Sequence, residues 1–170
     1  MTVAYIGIGS NVGDRVAFAR RGVDELGASD DVQVSRVSSL YETSPLGGPP
    51  QRSYVNLVTE VETTLSPQEL LQVAKAIETK LGRESNAMRW GPRVVDLDIL
   101  LFGEEKVNDP DLEIPHPRLR ERRFALIPLL EVAPDAADPW GARYADVVSE
   151  AQGEVELLEP WLLESREPTT

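Results

Sequence analysis

Two hydrophobic periods alternate along the chain, and the switches between them mark out its elements. Residues 2–9 carry Val3, Tyr5, Ile6 and Ile8 in a run that reads as a buried strand. Asn11 to Gly13 reads as a turn; Val16, Ala19, Val23 and Leu26 then recur at helical spacing, and Gly27 ends the segment. Val32 to Tyr41 predicts a second strand and Tyr54 to Glu62 a third. Between them SPLGGPPQRS, too rich in proline and glycine to extend either strand, reads as a loop. Ser66-Pro67-Gln68-Glu69 has the form of a capping box with proline at the first helical position. Leu70, Leu71, Ala74, Ile77 and Leu81 continue it as one apolar stripe, and Gly82 is the expected stop. A polar loop, Arg83 to Arg93, leads into an apolar strand, Val94 to Phe102. A weaker strand is expected at Lys106 to Val107 or at Leu112 to Ile114, a short helix at Phe124 to Val132, and another near Tyr144 to Ala151.

The order β-α-β-β-α-β over residues 2–102 is that of a ferredoxin-like α+β unit: a mainly antiparallel sheet with helices on one face. Further elements follow it toward the C-terminus. At 170 residues without an interior linker, the chain predicts one domain over residues 1–163 and a disordered tail over 164–170.

The strand Val94 to Phe102 brings chemistry into this outline. Residues two apart share a face of a strand, so Val95, Leu97, Ile99 and Leu101 point one way and Asp96 and Asp98 the other. Neighbouring carboxylates repel unless a cation or bulk water lies beside them. Taken alone, the pair suits a Mg²⁺ site or a wetted sheet face equally. Net charge is −12, which opposes loose binding to nucleic acid or an anionic membrane. Within that acidity, Arg83, Arg89, Arg93, Arg118, Arg120, Arg122 and Arg123 cluster in two short stretches. Basic clusters in an acidic chain suit a compact polyanion such as a nucleoside triphosphate, and paired carboxylates with arginines are the parts of phosphoryl-transfer sites. Two familiar nucleotide signatures fail. There is no P-loop pattern, and the last glycine of GIGSNVG falls one place too late for a dinucleotide-binding turn. That stretch reads instead as a strand-to-helix turn. Cysteine is absent, which excludes disulfides and thiolate sites. No apolar run approaches the length of a membrane span, and MTVAYIGIGSN lacks a basic leader, so a cytoplasmic location is expected. At this level a nucleotidyltransferase and a non-catalytic ferredoxin-like binding module stay open beside a diphosphate-transferring enzyme.

The stretch Arg89-Trp90-Gly91-Pro92-Arg93-Val94-Val95-Asp96-Leu97-Asp98-Ile99 resembles the signature of the 6-hydroxymethyl-7,8-dihydropterin pyrophosphokinases of folate biosynthesis. AYIGIGSN, the run Tyr41 to Leu46, Tyr54-Val55-Asn56, Ile114-Pro115-His116 and Arg122 to Leu129 occur in the same order, so the resemblance covers about residues 3–135. It implies transfer of the β,γ-diphosphate of ATP to the pterin hydroxymethyl group with release of AMP. It also implies two Mg²⁺ ions on Asp96 and Asp98, with Arg83 and Arg93 assisting catalysis. Arg93, His116 and Arg122 would contact phosphates, Glu78 and Ile99 would lie at the nucleotide, and Arg83, Arg89 and Trp90 would belong to a loop closing over ATP. The pterin would sit between Tyr54 and Phe124, its polar edge read by Asn56, whose one side chain carries both donor and acceptor. Thr43, Pro45 and Leu46 would complete that pocket. His116 is the lone histidine. Core packing is the expectation for Tyr5 and Trp140. The partners implied are these two small molecules, with no nucleic acid or membrane; a monomer is compatible with all of it. Ser85, Asp111, Pro117 and Lys75 depart from the usual family pattern.

Overall fold

A computed structural model describes residues 1–44, 52–84 and 94–161. Strands β1 (Thr2–Ser10), β2 (Val32–Val37), β3 (Leu40–Thr43), β4 (Tyr54–Thr63), β5 (Asp96–Phe102) and β8 (Val155–Glu159) form one sheet, every pairing antiparallel. The path runs β5-β1-β4-β3-β8, and β2 pairs with the far end of β4. The second strand expected over Val32 to Tyr41 is thus broken into β2 and β3, lying end to end along β4. Ser38 makes the break: its hydroxyl accepts from Val58 N–H at 2.9 Å and donates to the Ser39 carbonyl at 2.8 Å. Counting β2 and β3 as one bent strand, β5-β1-β4-β2/β3 is the strand order of a ferredoxin-like unit. The remaining pair, β6 (Val107–Asp109) and β7 (Leu112–Ile114), form a hairpin, so both expected positions of the weak strand are occupied.

Helix α1 (Arg15–Gly27) begins at Asp14, whose carboxylate accepts from Ala17 N–H at 3.1 Å. It buries Ala19, Val23 and Leu26 against the sheet, and Gly22 makes the approach possible. A β-carbon there would stand 3.2 Å from Ile8 Cγ2. The predicted capping box starts α2 (Pro67–Glu84): Glu69 N–H donates to Ser66 Oγ at 3.1 Å, and Ser66 N–H donates to Glu69 at 3.0 Å. The helix continues past Gly82, the expected stop. Helices α1 and α2 cover one sheet face, packing on Ala4, Ile6, Ile8, Val55, Leu57, Val61, Leu97 and Ile99.

The helices of the 2–102 unit thus share one face as expected, and helix α3 (Arg123–Val132), among the elements that follow it, lies on the opposite face. Its Leu126, Leu129 and Val132 form a second core with Tyr5, Val58, Leu100 and Leu101. Leu101 was expected beside Leu97 and Ile99. The β1–β5 register slips between Tyr5 and Ile6, turning Leu101 to the α3 side and Phe102 to the other. Of the predicted helix near Tyr144 to Ala151, only a 3-10 turn at Tyr144–Asp146 forms, and β8 was not foreseen. Trp140, expected in the core, is 68% exposed and stacks under Lys106, whose ammonium is 4.6 Å from the ring centre. None of the described helices is long and apolar enough to cross a membrane.

Candidate active site

Because Ile6 and Ile8 turn to the α1/α2 side, Gly7 and Gly9 face the α3 side, and register carries that orientation across the sheet. Gly9 pairs with Asp96 of β5 and with Asn56 of β4; Asn56 in turn pairs with Tyr41 of β3. One row therefore reads Asp96, Gly9, Asn56, Tyr41, and Gly7 lies beside Asp98 in the row next but one. With strands ~4.8 Å apart, Asp96 and Asn56 stand about 10 Å apart across a glycine that fills none of the gap. Helix α3 covers only the other end of this face. What remains open is a cavity of about 310 Å³, floored by Gly7, Gly9, Asn56, Asp96 and Asp98 and walled by Thr43, Ser44, Tyr54, His116, Arg118, Arg122 and Phe124. That is the lower end of the size range of ligand clefts.

Asn56 is held in one orientation. Its Nδ2 donates to Thr43 Oγ1 at 2.6 Å, and its Oδ1 lies over Gly9 so closely that a β-carbon on Gly9 would come within 2.5 Å of it. Only glycine leaves room for that amide. The GIGSNVG stretch runs as strand through Ser10 and then turns into α1, as expected, and two of its glycines line the site. Residue-type reading passed over Gly9 and Ser44 as site residues. The signal for Gly9 was a glycine inside a strand pattern, which marks close backbone approach.

The basic wall comes from the segment between β7 and α3. His116 N–H donates to the Leu100 carbonyl at 3.0 Å, anchoring the loop to β5 just beyond Asp98. Its Nδ1 accepts from Arg118 N–H at 3.2 Å, so the neutral ring carries its proton on Nε2. Burial pushes the imidazole below its ordinary pKa, while the Asp98 carboxylate pulls it back up. Burial likewise lowers Arg122, opposed by Asp98, and its guanidinium lies 5.5 Å from the Phe124 ring centre. Asp98 is exposed and Asp96 half-buried. Among the described residues, no three acidic or histidine side chains converge as a metal cage. Two carboxylates on one strand face suit magnesium, which takes hard oxygen donors and draws its remaining ligands from water and substrate phosphates.

Of the other predicted site residues, Glu78 lies outside the cavity: its carboxylate accepts from Leu97 N–H at 2.9 Å, clamping the edge of β5 between the two aspartates. The Ile99 side chain is spent on the α1/α2 core, so any nucleotide contact falls to its backbone. Arg83 lies on the outer face of α2, beside Gln72, Lys75 and Lys80, rather than in the cavity. Arg120 pairs with Asp138 at 3.0 Å, and Arg123 turns away from the cavity, so half of the second arginine cluster serves structure. Pro45, Leu46, Arg89, Trp90 and Arg93 lie outside the described residues.

Fold and cavity together define a ferredoxin-like α+β protein in which an acidic pair faces histidine and arginine across a ligand-sized cleft. The sequence model of the 7,8-dihydro-6-hydroxymethylpterin-pyrophosphokinase (HPPK) family matches residues 5–134, and the chain belongs to that family of pyrophosphokinases. It is 47% identical over 130 residues to the 2-amino-4-hydroxy-6-hydroxymethyldihydropteridine pyrophosphokinase of Bacillus subtilis, covering 76% of this chain and 77% of that one. To the enzyme of the same name from Aquifex aeolicus it is 37% identical over 139 residues, covering 82% and 85%. An HPPK-DHPS crystal structure in complex with substrates has the same fold, with a TM-score of 0.69 at 12% identity over 88% of this chain. Plasmodium falciparum HPPK-DHPS with pterin and p-hydroxybenzoate gives 0.67 at 16% identity over the same share. The chain spans 43% of the length of each of these two solved chains.

Proposed function

We propose that the cavity performs the family's transfer in line. The hydroxymethyl oxygen of 6-hydroxymethyl-7,8-dihydropterin bonds to the β-phosphorus of ATP as the bond from that phosphorus to the oxygen bridging to the α-phosphate breaks. AMP leaves, and the hydroxyl proton passes to solvent. The observation that carries this reading is the row Asp96, Gly9, Asn56: a carboxylate at one end, an oriented amide at the other, and bare backbone between. Asn56, its amide fixed by Thr43, matches the donor–acceptor edge of the pterin, with Tyr54 and Phe124 as flanking aromatic surfaces. Asp96 and Asp98 are the residues to hold Mg²⁺. When bound there, magnesium neutralises phosphate oxygens and acidifies the attacking hydroxyl. Arg122 supplies fixed positive charge to the phosphates. His116, kept neutral by burial, offers its Nε2–H as a donor rather than acting as a base. Glu78 holds the β5 edge so that both aspartates keep their facing.

Chromatography of nucleotide products tests this. Incubated with ATP, Mg²⁺ and the pterin alcohol, the protein should yield AMP in step with pterin diphosphate. Free pyrophosphate with a nucleotidylated pterin would replace the reading with nucleotidyl transfer.

A further inference from the structure

The family match ends at residue 134, yet both walls of the cavity are tied to chain beyond it. On one wall, Ser44 N–H donates to the Glu154 carbonyl and Glu154 N–H donates to Ser44 Oγ, each at 3.1 Å, and Thr43 pairs with Val155. On the other, Arg123 N–H donates to the Gln152 carbonyl at 3.1 Å, and Gln152 N–H donates to the Glu121 carbonyl at 3.0 Å. The Arg123 side chain completes the joint. Its guanidinium donates to the carbonyls of Ser149 at 3.0 Å, Gly153 at 3.3 Å and Val148 at 3.4 Å. An arginine fork suits several carbonyls converging from one loop, and their engagement is consistent with residues 148–151 not continuing as the helix their sequence suggests. Arg123 is flanked in sequence by Arg122 and Phe124, both in the cavity wall, and does not itself reach the cavity.

We propose that residues 148–155 are a brace that fixes the separation of the cavity's two walls, and that Arg123 is its positioning residue, setting Arg122 and Phe124 without touching substrate. That the braced cavity takes a pterin rests on the function proposed above; that Arg123 holds the wall does not. Of the carbonyls that lose a donor, that of Ser149 belongs to an exposed residue and those of Val148 and Gly153 to half-buried ones, so water can reach them and the fold survives the loss of the fork. Wall geometry does not survive it.

The test uses full-length Arg123→Met and Arg123→Lys with two readouts. In ligand-free hydrogen exchange, the amides of Arg123 and Gln152 should exchange at least tenfold faster in Arg123→Met, with α1 and α2 unchanged. In titration with the pterin alcohol beside a non-hydrolysable ATP analogue, Arg123→Met should raise the pterin Kd about tenfold, with Arg123→Lys between it and the parent. In a Phe124→Ala background the same substitution should change the pterin Kd less than twofold, because Phe124 is its route to the pterin and Arg122 acts on the phosphates. Unchanged exchange, or an equal tenfold loss in both backgrounds, would overturn the brace. If Arg123→Met does not fold, Arg123→Lys decides by the same readouts. A parent protein that binds no pterin sinks the proposed function, and the exchange measurement then decides the brace alone.

Discussion

Gly9→Ala puts one methyl group at the centre of the site. The added β-carbon would meet Asn56 Oδ1 at 2.5 Å, against a floor of 3.0 Å below which real β-carbons are essentially never found, so the amide must move by at least half an ångström. Asn56 cannot do so freely, since Nδ2 is bonded to Thr43 Oγ1 at 2.6 Å and β4 is paired on both sides. The movement is taken up by breaking that bond or by rotating the amide off the pterin edge. An unmatched polar edge costs roughly 1–3 kcal/mol, which corresponds to about 5- to 150-fold weaker pterin binding. Gly7→Ala is the matched comparison: the nearest atoms to its β-carbon belong to the Leu100 side chain, at an ordinary 3.6 Å, so the loss there should be smaller. Isothermal titration with the pterin alcohol measures both, alone and in an Asn56→Ala background. There Gly9→Ala should cost less than twofold. A Gly9→Ala variant with parent affinity, or one whose loss is the same with and without Asn56, would refute the steric argument.

Three further outcomes follow from the same geometry. Asp98→Ala should lower AMP release by at least ~10³-fold with pterin affinity unchanged, since Asp98 is exposed and supports no core packing; wild-type turnover would remove it from the chemistry. Ser66→Ala removes the reciprocal cap of α2 and should lower unfolding free energy by about 1 kcal/mol in urea titration. Burial, then the hydrogen bond to Glu60, pushes the Tyr5 phenol up to about 12 from 10.0. The folded state thus holds that proton more tightly than the unfolded chain, and the resulting stability is complete below pH 10 and lost as pH rises toward 12. Tyr5→Phe should flatten that part of the stability curve, and an unaltered slope would contradict the assignment.

Elements decided by neighbouring residues were legible in the sequence; arrangements decided by distant pairing were not. The capping box at Ser66 and the alternation around Asp96 and Asp98 are local, and both appear as expected. The face chosen by α3 is not local, because Leu126 and Leu129 would suit either side of the sheet. Nor is the register slip that turns Leu101, which depends on how β1 meets β5. Strand β8 carries Glu156 and Glu159 among exposed leucines, and only its pairing with β3 makes it a strand. In the site, the family resemblance pointed to Asn56, Tyr54, Phe124, His116 and Arg122, which line one cavity. The resemblance placed Glu78 near the nucleotide; the bond its carboxylate accepts from Leu97 N–H, 19 residues away, is not legible locally. Sequence could not say which of the clustered arginines serve structure; that depends on distant partners, an acid beside Arg120 and a ring of carbonyls around Arg123.

The central claim is that Asp96 and Asp98 face a polyphosphate held between them and the His116–Arg122 wall. A crystal structure with Mg²⁺, a non-hydrolysable ATP analogue and the pterin alcohol measures that directly. The account predicts metal density on both carboxylates, β- and γ-phosphate oxygens bound to it, and the hydroxymethyl oxygen in line with the β-phosphorus. A nucleotide bound elsewhere, with the two carboxylates contacting only water, would contradict it.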